Sequence, residues 1–387
     1  MKFRVECDVF GEAVSWVART LPTRPVVPVL SGLLLHAEGA ELRLSCFDYE
    51  VSASATVAAE VGEPGTVLVP GRLLAEIVRS LPSGDVDVST AADMTMVTCG
   101  SAEFALVSLP LEEYPQLPDL PGMAGTVDGG LLATAAAQVV PSASRDDTLP
   151  MLTGVCLEVD GAVLTLAATD RYRMAVRTIG WDPADPAARL SVLVPARTLA
   201  DVARTVGPGQ PVTIAVGTAG HDGQRPADGM ISFQSAGRRL TARLIGAEFI
   251  KYEARFPASF EARAELPATA FTEAVRRVSL VADRGTPVQL TFRRDAVVVE
   301  AQSDGRARAV ESVPVTLTGA DQVISFNPHY LLDGLAAAAL TVDDGDGRIR
   351  LDFTSPARPA LITPAPAAGS EPEFRYLVVP LRSPSGA

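Results

Sequence analysis

Apolar and polar residues alternate along much of the chain, and the pattern recurs in three places. GLLLHAEGAELRLSCFDYEVSASATV from Gly32, GVCLEVDGAVLTLAATDRYRMAVRTI from Gly154 and VQLTFRRDAVVVEAQSDGRARAVESV from Val288 share one plan. Each runs strand, charged or glycine turn, strand, Asp-containing turn, strand. A period of two puts successive side chains on opposite faces, so each segment predicts an antiparallel meander. The stretches that follow repeat as well: VLVPGRLLAEIVRSLP from Val67, VLVPARTLADVARTVG from Val192 and ISFNPHYLLDGLAAAA from Ile324. In each, a short strand gives way to a helix. Leu74, Ile77, Val78 and Leu81 fall at the i, i+3, i+4, i+7 spacing of one buried helical face.

A second helix precedes each meander. The first begins at Asp8, read as its N-cap, and turns Phe10, Ala13, Val14, Val17 and Leu21 inward. Its third-copy counterpart carries Phe271, Ala274, Val275 and Val278. Pro70 and Pro195 lie 125 positions apart (195 − 70), so the repeating unit is domain-sized rather than solenoid-sized. Proline-rich joints mark the boundaries: Pro115, Pro118 and Pro121 at the first, Pro257 and Pro267 at the second. The expected organisation is α+β, with three units over residues 1–121, 122–257 and 258–387. Each unit holds two helices packed on antiparallel sheets.

Composition changes this picture in two respects. With only 5% aromatic residues against 47% hydrophobic, the cores must be built from aliphatic side chains. The net charge of −13 argues at first against a nucleic-acid partner, but a whole-chain sum averages over faces. Of the 33 basic residues, Lys2 and Lys251 are the two lysines, so the placement of arginines decides. Arg72 and Arg79 lie seven apart on one helix, hence on one face, and Arg197 and Arg204 occupy the matching places in the second copy. The third copy has His329 and Ala336 there, while Arg276 and Arg277 lie on its other helix. Recurrence favours a shared positive surface that meets phosphates without reading bases. No recognition helix, zinc finger or aromatic stacking platform accompanies it.

Catalytic chemistry finds little footing. His36, His221 and His329 stand in unrelated contexts, and no phosphate-binding glycine loop or nucleophile-elbow motif is present. Asp343, Asp344 and Asp346 lack the glutamate of a calcium loop and read as a hairpin turn. Asp146 and Asp147 read as a surface loop, and Gly217 to Gly229 as a long hairpin connection. Cys7, Cys46, Cys99 and Cys156 are spaced as free buried thiols of a reduced compartment. No apolar run approaches the ~18 residues of a membrane span, so the expected location is cytoplasmic, with no membrane partner. No enzyme, metal or cofactor is expected.

RPVVPVLSGLLL from Arg24, AATDRYRMAV from Ala167, EFIKYEARFP from Glu248, SFNPHYLLDGL from Ser325 and YLVVPLR from Tyr376 together resemble the bacterial DNA polymerase III beta subunit family over essentially the whole chain. The resemblance implies three clamp domains per subunit and a head-to-tail homodimer closing as a ring around double-stranded DNA, bound without sequence preference. It implies DNA-facing roles for Arg24, Arg72, Arg79, Arg145, Arg197, Arg204, Arg276 and Arg277. It also implies a pocket for short peptide motifs of the polymerase III alpha subunit and of an ATP-driven clamp loader. Carried over residue by residue, that pocket comprises Leu152, Thr169, Arg171, Tyr172, Arg173, Met174, Ile250, Pro359, Leu377, Val378, Val379, Pro380, Leu381 and Arg382. Phe104 and Leu106 would face Leu280 and Val281 of the second subunit. Past Arg382 the chain continues as Ser-Pro-Ser-Gly-Ala, near the implied pocket. Two other readings stand beside this one: a clamp-fold scaffold that binds peptides without being loaded on DNA, and a hydrolase using Asp146 or Asp170. Asp170 recurs as Asp48 in the first copy, which favours a turn-forming role for both.

Overall fold

Wherever the sequence shows an apolar stripe at helical spacing, the chain is helical. The computed structural model describes residues 1–117, 122–217, 229–283, 285–303, 305–342, 347–365 and 372–381. Among these, six α-helices form: α1 (Cys7–Ala18), α2 (Gly71–Ser80), α3 (Gly129–Val139), α4 (Ala196–Ala203), α5 (Ala268–Ser279) and α6 (Pro328–Ala339). Phe10, Ala13, Val14 and Val17 of α1 are buried, as are Phe271, Ala274, Val275 and Val278 of α5. Asp8 is not the N-cap it was read as. The strand Lys2–Glu6 runs directly into α1, and the Cys7 amide donates to the Gly84 carbonyl at 2.9 Å. Asp8 therefore falls in the first turn, where its charge still favours the helix dipole. Leu81 lies just past the end of α2 as its C-cap.

The chain packs as two compact units, residues 1–126 with 210–244, and residues 127–209 with 245–387. In the first unit, one sheet orders its strands as Glu60–Glu63, Lys2–Glu6, Asp85–Ala91, Met94–Cys99 and Ala102–Val107. The other includes, in order, Pro211–Gly217, Met230–Ser235, Arg238–Arg243, Val51–Ala58, Glu41–Phe47, Gly32–Glu38 and Gly65–Pro70. Helix α1 packs on this second sheet, whose Leu42, Leu44, Ala53, Ala55 and Leu240 are buried. In the second unit, nine strands run from Arg189–Pro195 through Gly154–Asp160, Val163–Thr169, Arg173–Gly180 and Phe374–Val378 to Ala360–Pro364, Arg348–Phe353, Ala262–Pro267 and Thr316–Gly319. A further sheet orders Ala307–Pro314, Ala296–Ser303, Val288–Phe292 and Gln322–Phe326. Gln138 of α3 donates to the Ala337 carbonyl of α6 at 2.9 Å and ties the two helices together.

These units cut across the three sequence copies because strands pair over the copy junctions. Arg238–Arg243, from the second copy, pairs with Val51–Ala58 of the first. Phe374–Val378, from the third, pairs with Arg173–Gly180 of the second. Each pairing extends a sheet and leaves no edge at the junction.

The repeat is also visible atom by atom. Gly32 opens the first meander strand opposite Pro70, and Gly154 opens the second opposite Pro195. A Cβ on Gly32 would come within 2.6 Å of Leu68 Cδ1, and one on Gly154 within 2.7 Å of Leu193 Cγ. Both glycines exist because a leucine at the same place in each copy presses on the backbone.

Candidate functional site

The Asp-containing turns of the first two copies are built by one device. Asp48 Oδ1 accepts from the amides of Glu50 (3.0 Å) and Val51 (2.8 Å). Asp170 Oδ1 accepts from those of Tyr172 and Arg173, both at 3.0 Å. Such side-chain acceptors replace a ladder partner and fix a tight reversal. The residue after each Asp takes positive φ, +74° at Tyr49 and +82° at Arg171, and Gly305 has +68° in the third copy. Asp170 is thus a turn-former, as its recurrence implied.

In the second copy the turn also holds a cation in place. Arg173 Nε donates to Asp170 Oδ2 at 2.9 Å, and its Nη1 pairs with Asp333 of α6. The guanidinium lies 4.6 Å from the centre of the Tyr330 ring, which stacks on Tyr172 at 6.0 Å and 18°. Burial acts to lower the Arg173 pKa, but Tyr376, Asp333 and Asp170 outweigh it, so the net shift is upward and the cation is permanent. Burial also pushes the phenols of Tyr376 and Tyr330 up, keeping both neutral. Tyr376 donates to the Tyr330 carbonyl at 2.7 Å. Tyr330 and Asp333 did not figure among the sequence-derived site residues. Their three-residue spacing on the helix of SFNPHYLLDGL was the available signal.

Most residues of the implied peptide pocket come together here. Met174, Leu377 and half-buried Ile250 share one apolar cluster with Tyr252, Leu361 and Phe249. Met174 pairs across strands with Leu377, and Arg173 with Val378. Thr169 is buried, its hydroxyl donating to the Arg173 carbonyl at 2.6 Å. Val379 donates its amide to the Tyr172 carbonyl at 2.8 Å, and Leu381 to that of Ser325 at 2.8 Å, so tail and turn are laced together. Pro359 and Pro380 are half-buried. Leu152 is buried on a single 3-10 turn, and Val378, at 0% exposure, is purely core. The accessible apolar rim is Tyr172, 51% exposed, with Val379 and Leu381. Arg382 and the Ser-Pro-Ser-Gly-Ala tail lie outside the described residues.

A groove of about 1110 Å³ opens beside this rim. Arg145, Arg171 and Arg197 line it together with Asp146, Asp147, Asp170 and Asp333, so its field is mixed. Asp146 accepts from the Thr148 hydroxyl (2.7 Å) and amide (3.0 Å), which hold its carboxyl below the usual range. That is the work of a loop residue.

The remaining arginines divide by what they touch. Arg24 and Arg79 are exposed; Arg72 is exposed and donates to the Leu21 carbonyl at 2.9 Å. Arg204, the C-cap residue of α4, pairs with Asp201, and Arg276 pairs with Glu273. Arg277 bonds Glu311 at 2.5 and 3.1 Å. Part of the positive charge read from spacing is therefore spent locally.

Two of the sheets' end strands and one exposed apolar residue lie at or beside the residues expected at a subunit contact. Ala102–Val107 is the last strand of its sheet, with Phe104 half-buried and Leu106 at 2% exposure inside its own unit. Ala307–Pro314 is the last strand of the four-stranded sheet. Leu280, just past α5, is 82% exposed, and Val281 is half-buried.

His36 is half-buried and bonded to Thr66 at 2.8 Å, and His329 donates its amide to Asn327, the cap of α6. His221, Asp343, Asp344, Asp346 and most of the Gly217 to Gly229 stretch lie outside the described residues. All four cysteines are buried and free. Burial pushes the Cys46 and Cys156 thiols up to about 12, so neither is a nucleophile at neutral pH. Among the described residues no helix is long and apolar enough to cross a membrane.

The DNA polymerase III beta subunit family matches the chain in three successive stretches: its N-terminal domain over residues 1–118, its central domain over 126–251 and its C-terminal domain over 254–382. The beta sliding clamp of Streptomyces coelicolor is 48% identical over 384 residues, covering 99% of both chains. The crystal structure of the DNA polymerase sliding clamp from Bacillus subtilis superposes with a TM-score of 0.89 at 25% identity, over 99% of each chain. The sliding clamp from Pseudomonas aeruginosa bound to griselimycin gives 0.88 at 26%, over 99% of this chain and 100% of that one.

Proposed function

Because the chain belongs to the DNA polymerase III beta subunit family, we propose that it works as a sliding clamp subunit, a non-catalytic processivity factor in DNA replication. Two copies close head to tail around double-stranded DNA and tether the replicative polymerase. The three domains fall at 1–121, 122–257 and 258–387. The observation that carries this reading is the family match over three successive stretches of a single chain.

The physics is that of topological binding. A closed ring cannot leave sideways, so weak, sequence-independent phosphate contacts suffice and sliding stays cheap. Arg24, Arg72, Arg79, Arg145 and Arg197 supply those contacts, and Arg204, Arg276 and Arg277 add to them once a phosphate outcompetes their carboxylates. The exposed Leu280 and the end strands Ala102–Val107 and Ala307–Pro314 support closure between copies, since end strands and exposed apolar residues favour a partner. Phe104 and Leu106 of one copy meet Leu280 and Val281 of the other.

Partners dock on the rim around Tyr172. Leu152, Thr169, Met174, Ile250, Pro359 and Leu377 form its floor, backed by the core residue Val378, and Arg171, Tyr172, Arg173, Val379, Pro380 and Leu381 its lip. Short motifs of the polymerase III alpha subunit and of the clamp loader bury apolar side chains there, while Arg173, already held by Asp170 and Asp333, orients their polar groups. The setting is the cytoplasm.

Loading on nicked circular plasmid with a clamp loader and ATP tests this. Retention through a high-salt wash, followed by release once the plasmid is linearised, is the expected result. Retention that ignores linearisation, or none at all, would leave a peptide-binding scaffold that is not loaded on DNA.

A further inference from the structure

The sheet that carries α1 on one face has a second, polar face. Leu42, Leu44, Ala53, Ala55 and Leu240 point to the α1 side. The residues between them point away, by the two-residue alternation of a strand. Register then puts a set of side chains together on the far face. Arg43 pairs with Thr56, Ser54 pairs with Arg239, and Arg239 pairs with Gln234. Arg43 and Arg239 thus flank the strand Val51–Ala58 from either side, two residues out of line along it, their backbones roughly 12 Å apart at ordinary strand spacing and rise. A groove of about 680 Å³ runs over them, with Leu117 at its wall.

Unlike Arg204, Arg276 and Arg277, these two arginines have no carboxylate partner among the described residues. Arg239 donates instead to the side-chain carbonyl of Gln234, at 3.2 Å from Nε and 2.7 Å from Nη2. Burial and then the charge of Arg43 lower its pKa, which means that the two cations sense one another. Glu41, the one carboxylate lining the groove, pairs across strands with Ala58 and makes no ion pair among the described residues. Two guanidinium groups thus share one groove with a single carboxylate, Glu41, and neither is neutralised by an ion pair among the described residues, an arrangement that favours oxyanions.

From this geometry we infer that the groove over Arg43 and Arg239 is a docking site for an acidic peptide segment of a protein partner, distinct from the rim around Tyr172. Three observations select that occupant. The groove far exceeds the volume of a single small anion, for which about 30 Å³ per water-sized molecule is the scale. It has no aromatic side chain on which a base stacks, which disfavours single-stranded nucleic acid. Its floor is made of strands already paired on both sides, so recognition falls to side chains rather than to strand addition. Carboxylates spaced along an extended segment bridge the two arginines, while Ser54, Thr56 and Gln234 offer hydrogen bonds and Leu117 an apolar contact.

The test is calorimetric titration of the full-length protein with a short, end-capped poly-glutamate peptide at low salt. Arg43→Gln/Arg239→Gln should weaken binding at least about fivefold, as loss of two charge-assisted contacts requires. Arg197→Gln should leave it within about twofold. Arg43→Lys/Arg239→Lys, which keeps the charge and loses the fork, should fall between. Removing a like-charge pair should not lower the thermal midpoint of the double Gln variant. Equal binding by wild type and that variant would overturn the proposal. So would a fivefold loss seen for oligothymidylate and not for poly-glutamate, which would make the groove a nucleic-acid site. Loading of the double Gln variant on circular plasmid should be unchanged, so a failed peptide titration stays separate from a failed clamp.

Discussion

The turn at Asp48 in the first unit and the turn at Asp170 in the second share their carboxylate-to-amide bonds and their left-handed residue. They differ at the third position after the aspartate. In the first copy that residue is Val51, which simply begins the next strand. In the second it is Arg173, whose guanidinium is taken by Asp170 and by Asp333 of α6 and covered by Tyr330. The backbone needs only the aspartate and one residue that tolerates positive φ. Every other position of the turn is free to acquire a role, and one copy has used that freedom to fix a cation beside an apolar rim. Repetition supplies the scaffold and divergence the site.

Replacing each aspartate separates the two uses most sharply. Asp48→Ala and Asp170→Ala should both destabilise the fold by about 1–3 kcal/mol, the cost of stranding amide donors, as read from urea unfolding. Asp170→Ala should in addition weaken binding of a polymerase-derived peptide at least about tenfold, because Arg173 loses one of its two carboxylate anchors and the turn that carries it. Fluorescence anisotropy would read this. Asp48→Ala should leave peptide affinity within about twofold. Equal weakening by both variants would mean that the peptide site depends on global stability and not on the Asp170 turn.

A smaller effect is expected on α6. Asp333→Asn keeps an acceptor for Arg173 and removes a charge that is 44% exposed, so solvent screens much of its pull. Peptide affinity should drop about two- to fivefold, with little change in unfolding midpoint. No change in affinity would assign the orientation of Arg173 to Asp170 and the Tyr330 ring alone.

How far the sequence reached follows the same division between local and distant contacts. The meanders, the helix faces and the turn role of Asp170 are local or repeated, and alternation, helical spacing and the Asp48 match made them readable. Tyr330 and Asp333 lie about one copy away from Arg173, and nothing in one sequence says which helix turn faces which strand turn. The pairing of Arg238–Arg243 with Val51–Ala58 was hidden for the same reason, since alternation identifies strands but not their neighbours. Arg276 shows the boundary within a single helix. Its partner Glu273, three residues earlier, was legible, whereas Glu311, which binds the neighbouring Arg277, was not. Asp8 failed as a cap because a strand enters α1 without a loop, a tertiary fact that overrides capping preference.

The gentlest test concerns the left-handed residue itself. Arg171 holds φ at +82° with a full side chain, a conformation that costs a non-glycine residue roughly 1–2 kcal/mol. The third copy avoids that cost with Gly305 at +68°. Arg171→Gly should relieve the strain but add back about 0.5–1 kcal/mol of unfolded-state entropy, leaving a net gain of up to ~1 kcal/mol in urea. Tyr49→Gly makes the same exchange at +74° and also forfeits the ring contact with Phe47 at 5.6 Å, so its net effect should sit near zero or below. A loss of stability in Arg171→Gly would show that its side chain contributes to the fold, and the turn would then be specialised in its packing as well as in its exposed rim.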